Sequence, residues 1–131
     1  MKMPVSVDVV AAEKSVWLRW LPNELPAAGY ITLKNSSDTP LEVTKIHSPD
    51  YKKITAYQTV MDSESSKMVK HDTFTIPAKG EIAFVPGKYH LMCEKPTRRI
   101  TPGDNGRFIF FLSDGKVFKV RIPVRTSPEL Y

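Results

Sequence analysis

The sequence contains only one cysteine, Cys93, among its 131 residues. One cysteine cannot form a disulfide within the chain, so cysteine usage does not identify the redox compartment. No apolar run approaches the roughly 20 residues that a membrane-spanning helix needs, and the start, MKMPVSVDVV, lacks the apolar core of a secretory signal. We expect no membrane insertion, and the chain is either cytoplasmic or an exported protein whose signal has been removed.

Enzyme signatures and nucleic-acid-binding signatures are also missing. We find no P-loop, no glycine-rich dinucleotide motif opening a helix, no Ser/His/Asp or Cys/His arrangement and no close carboxylate pair. The net charge is +5, but the basic residues occur singly or in pairs such as Lys52-Lys53 and Arg98-Arg99. Nucleic-acid modules instead combine basic runs with stacking aromatics. We therefore expect a protein that is not an enzyme and does not bind nucleic acid.

What the sequence does contain is a series of short apolar or β-branched segments separated by turn residues, with eleven prolines and six glycines spread along the chain. This pattern predicts an all-β sandwich in a single domain over residues 1–131, with residues 126–131 as a loose tail. Asp114-Gly115 is the strongest hairpin signal. The predicted strands are Val5–Ala11, Ser15–Trp20, Ala28–Lys34, Leu41–His47, Lys53–Val60, Ser66–Ile76, Glu81–Val85, Tyr89–Glu94, Arg107–Ser113 and Lys116–Val124.

The segment Tyr89-His-Leu-Met-Cys93 holds the residues with the most distinctive chemistry. Side chains alternate between the two faces of a strand, so His90 and Met92 project together and Leu91 projects the other way. Thioether sulfur is a soft ligand that suits Cu(I) and is a poor ligand for Mg²⁺ or Ca²⁺. Taken alone, however, such a pair is more often a partly buried histidine beside a core methionine.

Longer phrases around this segment resemble the PCu(A)C family of periplasmic copper chaperones, from Val16-Trp17 to the final hairpin. Ala28-Gly-Tyr-Ile-Thr-Leu-Lys-Asn35 is similar to the family's AxYxxLxN strand, and Pro86-Gly-Lys-Tyr-His-Leu-Met92 to its PGGxHLM phrase. Ile76-Pro-Ala78 precedes Gly80 as in that family. The resemblance implies a Greek-key, cupredoxin-like β-sandwich or barrel of short antiparallel strands.

The family's copper motif runs His, ten residues, Met, twenty-one residues, His, one residue, Met, and Met68, His90 and Met92 stand in that register. The resemblance implies that these three residues bind copper, preferably as Cu(I), at an exposed site. It also implies a monomeric protein in the periplasm that delivers copper to a partner, such as the copper centre of an oxidase. The sequence does not identify the recipient.

The position of the family's first histidine is occupied by Tyr57. A neutral phenol is a hard, weak ligand for Cu(I), so we expect weaker binding than with the full set of donors. His71 and His47 are possible additional ligands. His71 is three residues after Met68 and would project to the opposite face of a regular strand unless a bulge or turn intervened. Met61, in the loop between Tyr57 and Met68, and Met3, near the start, are weaker candidates.

Two further interpretations remain open. Cys93 could offer a thiolate, the best Cu(I) ligand in proteins, but strand alternation places it on the wrong face and a small buried apolar residue is the favoured role. The chain could also be a family member that has lost tight copper binding and acts as a protein-interaction module, with an edge strand or the cationic face of the last hairpin as its docking surface.

Overall fold

The computed structural model describes residues 3–12, 16–22 and 25–126. All regular structure in these ranges is β, and no helix that could span a membrane occurs among them. The strands are β1 (Val9–Ala11), β2 (Trp17–Arg19), β3 (Ala27–Asn35), β4 (Leu41–His47), β5 (Tyr51–Met61), β6 (Ser66–His71), β7 (Phe74–Ile76), β8 (Gly80–Phe84), β9 (Tyr89–Pro96), β10 (Asn105–Leu112) and β11 (Val117–Arg125).

The strands form one sheet in the order β6-β5-β9-β3-β2-β11-β10-β4-β7, and β1 and β8 both pair with β3. Many neighbours in the sheet are distant in sequence, as crossover connections of the Greek-key type require. The predicted all-β sandwich is confirmed. One pairing differs from the predicted antiparallel arrangement, because β11 and β2 run parallel through Val124 and Leu18.

The core forms where the inward faces of the sheet meet. On β10, Phe108, Phe110 and Leu112 are buried, and the intervening residues are more exposed, as strand alternation requires. Phe84 of β8 and Leu91 of β9 are also completely buried. Because β9 and β10 lie on opposite sides of β2 in the sheet order, these side chains join the two halves of the sheet into one hydrophobic core.

The bounds of most predicted strands shift by one or two residues in the structure, and two predicted strands change more. The segment Ser66–Ile76 is interrupted at Asp72-Thr73, where the chain turns from β6, which pairs with β5, to β7, which pairs with β4. The segment Val5–Ala11 is reduced to β1, and Val5 makes only a single bridge to Val117. The predicted tail lies outside the described residues beyond residue 126, and so does the first residue of the predicted segment Ser15–Trp20.

The hairpin predicted at Asp114-Gly115 joins β10 to β11. The Gly115 amide donates to the carbonyl of Leu112 at 3.0 Å, and the Lys116 amide donates to the Asp114 carboxylate at 3.0 Å. Gly115 has a φ of 82°, in the left-handed region that glycine adopts without steric cost. The turn residues therefore determine where these two strands reverse.

A buried carboxylate with two half-exposed arginine partners connects the start of β5 with the segment after β9 and with β10. Asp50 is completely buried, and its carboxylate accepts from Nε of Arg98 at 2.9 Å and from Nη2 of Arg107 at 2.8 Å. It also accepts from the Arg107 backbone amide at 2.8 Å. The Asp50 carbonyl accepts from the Thr97 amide at 2.8 Å. These bonds hold together three chain segments that are far apart in sequence.

The hydrogen bonds from Arg107 and Arg98 outweigh the effect of burial and hold the pKa of the Asp50 carboxyl well below its usual range. The carboxylate therefore stays ionised in the folded protein. A buried charge with these partners stabilises the fold only while the partners remain in place, since the same charge without them would be strongly destabilising.

Replacing Asp50 with Asn should lower the free energy of unfolding by about 2 kcal/mol, because it removes the charge that strengthens the hydrogen bonds from Arg98 and Arg107. Urea denaturation followed by far-UV circular dichroism measures this change. Asp38→Asn is the matched control, because Asp38 makes only an exposed pair with Lys79 at 3.5 Å and should change stability little. Equal stability of the Asp50→Asn variant and the wild type would contradict a stabilising role for the ion pair.

The Asp50 carboxyl also predicts how stability depends on pH. Since its pKa is lower in the folded chain than the value near 3.9 of an unfolded chain, its contribution is complete above about pH 4 and is lost as the pH falls through the folded value. Between pH 5 and pH 2, the wild type should therefore lose more stability than Asp50→Asn. Parallel acid titration curves for the two proteins would contradict this assignment.

Candidate metal centre

The candidate ligands lie where β6, β5 and β9 run side by side. Tyr57, on the central strand β5, is paired with His90 on β9 and with Lys70 on β6. Thr59 is paired with Met68. Directly paired residues of an antiparallel sheet share a face, and so do residues two apart on one strand. Tyr57, Met68 and His90 therefore lie on one face of the sheet.

Met92 lies on the same face, two residues after His90 on β9. It is paired with Thr55 of β5 on one side and with Ala28 of β3 on the other. We call the surface formed by Tyr57, Met68, His90 and Met92 the His90 face. The strand alternation used in the sequence analysis correctly predicted that His90 and Met92 project together.

One turn sets the pairing of β5 with β6, and a second turn leads from β8 into β9. In the turn between β5 and β6, the Asp62 carboxylate accepts from the backbone amides of Glu64 at 2.9 Å and Ser65 at 2.8 Å. The turn before β9 contains Gly87, with a φ of 86°, and the Lys88 amide donates to the carbonyl of Val85 at 3.0 Å. Polar turn residues and a glycine thus position the segments that carry Met68 and His90.

The three candidate donors differ in exposure. The Met68 residue is 62% exposed, whereas His90 and Met92 are half-buried. Burial lowers the pKa of His90 from its ordinary value of 6.5. A neutral imidazole has a free nitrogen lone pair, and a thioether needs no deprotonation, so all three side chains are in the protonation state that binds a metal at neutral pH.

Tyr57 separates the two parts of this group. Its ring stacks on the His90 ring, with the centroids 5.6 Å apart and the planes inclined by 20°. Met68 is the partner of Thr59 rather than of Tyr57, so it is diagonal to Tyr57 across the β5–β6 pair. Tyr57 stands at the position of the first histidine in the PCu(A)C motif. It therefore lies between Met68 and His90, with its ring stacked on the imidazole.

The structure does not bring the other two histidines to the His90 face. His71 is paired with Ala56 and projects to the opposite face, as strand alternation predicted, where Nε2 is 2.9 Å from Oε1 of Gln58. His47 is exposed at the end of β4 and is paired with Ile109 of β10. Among the described residues, no three His, Cys, Asp or Glu side chains converge, so a metal site on the His90 face depends on thioethers.

Cys93 and Met3 are also remote from this face. Cys93 is completely buried on the core side of β9, and burial raises the pKa of its thiol, so it remains a protonated, apolar side chain as the sequence predicted. Met3 is exposed and precedes Pro4, whose carbonyl accepts from the Val117 amide of β11. Cys93 lies on β9 but projects to the opposite, core-facing side, and Met3 lies on none of the strands that form the His90 face.

Met61 is the residue whose position sequence reasoning missed. It was expected in a loop, but it is the last residue of β5, paired with Ser66. Tyr57, Thr59 and Met61 alternate along β5, so Met61 lies on the His90 face and is diagonal to Met68. If the predicted strand Lys53–Val60 is extended by one residue, its alternation places Met61 on the same face as Tyr57.

The fold is similar to solved PCuAC domains. The structure titled "Copper-bound PCuAC domain from PmoF2" matches with a TM-score of 0.73 at 16% identity, over 97% of this chain and 100% of that chain. The solution structure of CuI-DR1885 from Deinococcus radiodurans matches with a TM-score of 0.71 at 20% identity, over 93% of this chain and 83% of that chain. The chain therefore has a PCuAC-like fold.

The sequence comparisons identify the family. The model of the LpqE-like family, described as "Putative lipoprotein LpqE-like", matches residues 11–124, and the chain belongs to this family. An uncharacterized protein of Rickettsia prowazekii (strain Madrid E), RP573, is 31% identical over 99 residues, which are 73% of this chain. The match covers 55% of the length of that relative.

The stacked pair leads to a prediction about His90. In the metal-free protein, His90 should titrate below 6.5, because burial disfavours the charged imidazolium. Tyr57→Ala removes the ring that covers the imidazole and should raise the His90 pKa towards 6.5. NMR titration of the imidazole protons measures both values. A wild-type His90 pKa at or above 6.5 would contradict the buried position of the ring.

Proposed function

We propose that this protein binds Cu(I) on the His90 face, through Met68, His90 and Met92, and transfers it to a partner protein. The main observation that supports this proposal is that one imidazole and two thioethers lie on a single face of three adjacent strands. Soft thioethers favour Cu(I) over hard cations. Two solved structures of the same fold are titled as copper-bound and as CuI-DR1885, which supports copper as the cargo.

The exposure of this site suits transfer rather than storage. Met68 is 62% exposed, so a recipient's ligands can approach the ion and replace the donors one at a time. No proton has to be taken up when a thioether is released. Tyr57, at the position of the first histidine in the PCu(A)C motif, leaves the site with three of four donors and makes binding weaker and exchange easier.

We also propose an exported location, at the periplasm or the cell surface, where a recipient such as an oxidase copper centre would be loaded. The lipoprotein description of the family supports export. In this proposal the chain acts as one monomeric PCuAC-type domain, without enzymatic activity and without nucleic acid as a partner. The match to RP573 covers 55% of the length of that protein. The activity of a longer protein that contains such a domain is therefore also a proposal.

A second candidate function is a protein-interaction module without tight copper binding. The observation that favours it is the Tyr57–His90 stack, which occupies part of the space that a fourth ligand would fill. The edge strand β6 is exposed along most of its length, and backbone groups of an unpaired strand edge can pair with a partner. Copper affinity decides between the two functions.

Anaerobic titration of Cu(I) in competition with a chromogenic chelator should show one equivalent bound by the wild type. His90→Ala, Met92→Leu and Met68→Leu each remove one donor and should weaken binding by about tenfold or more, which is ~1.4 kcal/mol. His71→Ala and Met3→Leu are the matched controls, because these residues lie off the His90 face, and they should bind as the wild type does. No stoichiometric binding by the wild type would exclude the chaperone function.

Tyr57→His tests whether this position is the missing donor. An imidazole at this position adds a fourth ligand beside His90 and should tighten Cu(I) binding by about tenfold or more. Tyr57→Phe is the control, because it keeps the ring and removes only the hydroxyl, and it should leave the affinity unchanged. Equal affinity of the Tyr57→His variant and the wild type would show that Tyr57 does not limit copper binding.

A further inference from the structure

Two methionines lie exposed on the β5–β6 hairpin. Met61 is 72% exposed and Met68 is 62% exposed, although methionine is among the residues most often buried. The core does not use either side chain. Their exposure therefore needs an explanation other than packing within the folded domain.

The register of the hairpin brings these two methionines together. Met61 is paired with Ser66, and Thr59 is paired with Met68, so the methionines are diagonal neighbours on the His90 face. Diagonal neighbours across an antiparallel pair are about 7 to 8 Å apart at the backbone, and somewhat less at Cβ. Each sulfur is two bonds beyond its Cβ, so two flexible methionine side chains that turn towards each other can bind one ion.

The turn that closes the hairpin holds this geometry. The Asp62 amide donates to the carbonyl of Ser65 at 2.9 Å, and the Asp62 carboxylate accepts from the Glu64 and Ser65 amides. A four-residue turn closed in this way fixes which residues of β5 and β6 are paired.

We infer that Met61 and Met68 form a second Cu(I)-binding position, at which the ion is first held by two thioethers before it moves to His90 and Met92. The inference rests on the proposed function and adds Met61, which lies outside the ligand set proposed above. Met68 is common to both positions. Met68 is diagonal to Met61 on one side and shares a face with His90 on the other. It is therefore the donor that stays bound while the ion moves.

The position of Tyr57 explains why two steps are required. Its ring is stacked on His90, on the strand between Met68 and β9. An ion bound only by Met61 and Met68 lies beyond Thr59 and does not require the stack to open. Movement to His90 and Met92 does require the phenol to turn aside, so the hairpin can take up Cu(I) before the half-buried donors are available.

The test is an anaerobic Cu(I) titration of the full chain labelled with ¹³C at the methionine methyl groups. The proteins compared are the wild type, a His90→Ala/Met92→Leu variant, and that variant with Met61→Leu added. In the wild type, the methyl signals of Met61, Met68 and Met92 should shift with added Cu(I), whereas that of Met3 should not. In the double variant, the Met61 and Met68 signals should still shift, at higher Cu(I) concentration. Adding Met61→Leu should abolish the Met68 shift.

The outcomes separate this inference from the proposed function. If Met68 and Met92 shift while Met61 does not move, the second position is excluded and the proposed site remains. If the wild type shows no methyl shift and no bound copper, both are excluded. Leucine keeps the size and apolar character of methionine, so an effect of Met61→Leu reports the thioether rather than the loss of an apolar docking surface. Met3→Leu, at an exposed methionine elsewhere, should leave all of these shifts unchanged.

Discussion

The buried carboxylate of Asp50 is the constraint on which the candidate site depends. It lies directly before β5, and its partners Arg98 and Arg107 lie after β9 and on β10. It therefore fixes one end of the β5–β9 pair, the two strands that carry Tyr57, His90 and Met92. Tyr57 is seven residues further along β5, roughly 24 Å away in an extended strand. A charged anchor placed so far from soft, neutral donors can stabilise the strands without adding a hard ligand to the site.

The Tyr57–His90 stack is compatible with copper binding on energetic grounds. Aromatic pairs of this kind contribute about 0.5 to 1.5 kcal/mol beyond the burial of their surface. Opening the stack would therefore lower the affinity for an ion by about tenfold at most, since 1.4 kcal/mol corresponds to one power of ten. The absence of a fourth donor lowers the affinity for the ion separately, and the stack does not change that effect. If copper binds as proposed, the phenol would thus weaken the three-donor site without abolishing it.

Local rules in the sequence predicted the all-β fold and the faces on which most candidate residues lie. Alternation placed His90 with Met92 and Cys93 in the core, and Asp114-Gly115 marked a real hairpin. Local rules did not predict the features that depend on pairing between segments distant in the sequence. The parallel pairing of β2 with β11 has no local signal, and nothing in Ser48-Pro-Asp50 indicates a buried carboxylate whose arginine partners follow 48 and 57 residues later.

The β5–β6 hairpin shows why the exposed thioethers are not an incidental feature of an edge strand. An exposed edge invites pairing with other chains, and charged side chains such as lysine reduce that risk. β6 carries Lys67 on one face and Lys70 on the other, so this protection is already present on both faces. Neither lysine needs a neighbouring methionine to protect the edge. Threonine would suit an exposed strand better than Met61 or Met68, because strands favour β-branched residues. The property that threonine lacks is a soft sulfur donor, and the hairpin presents two of them on the face that also carries His90.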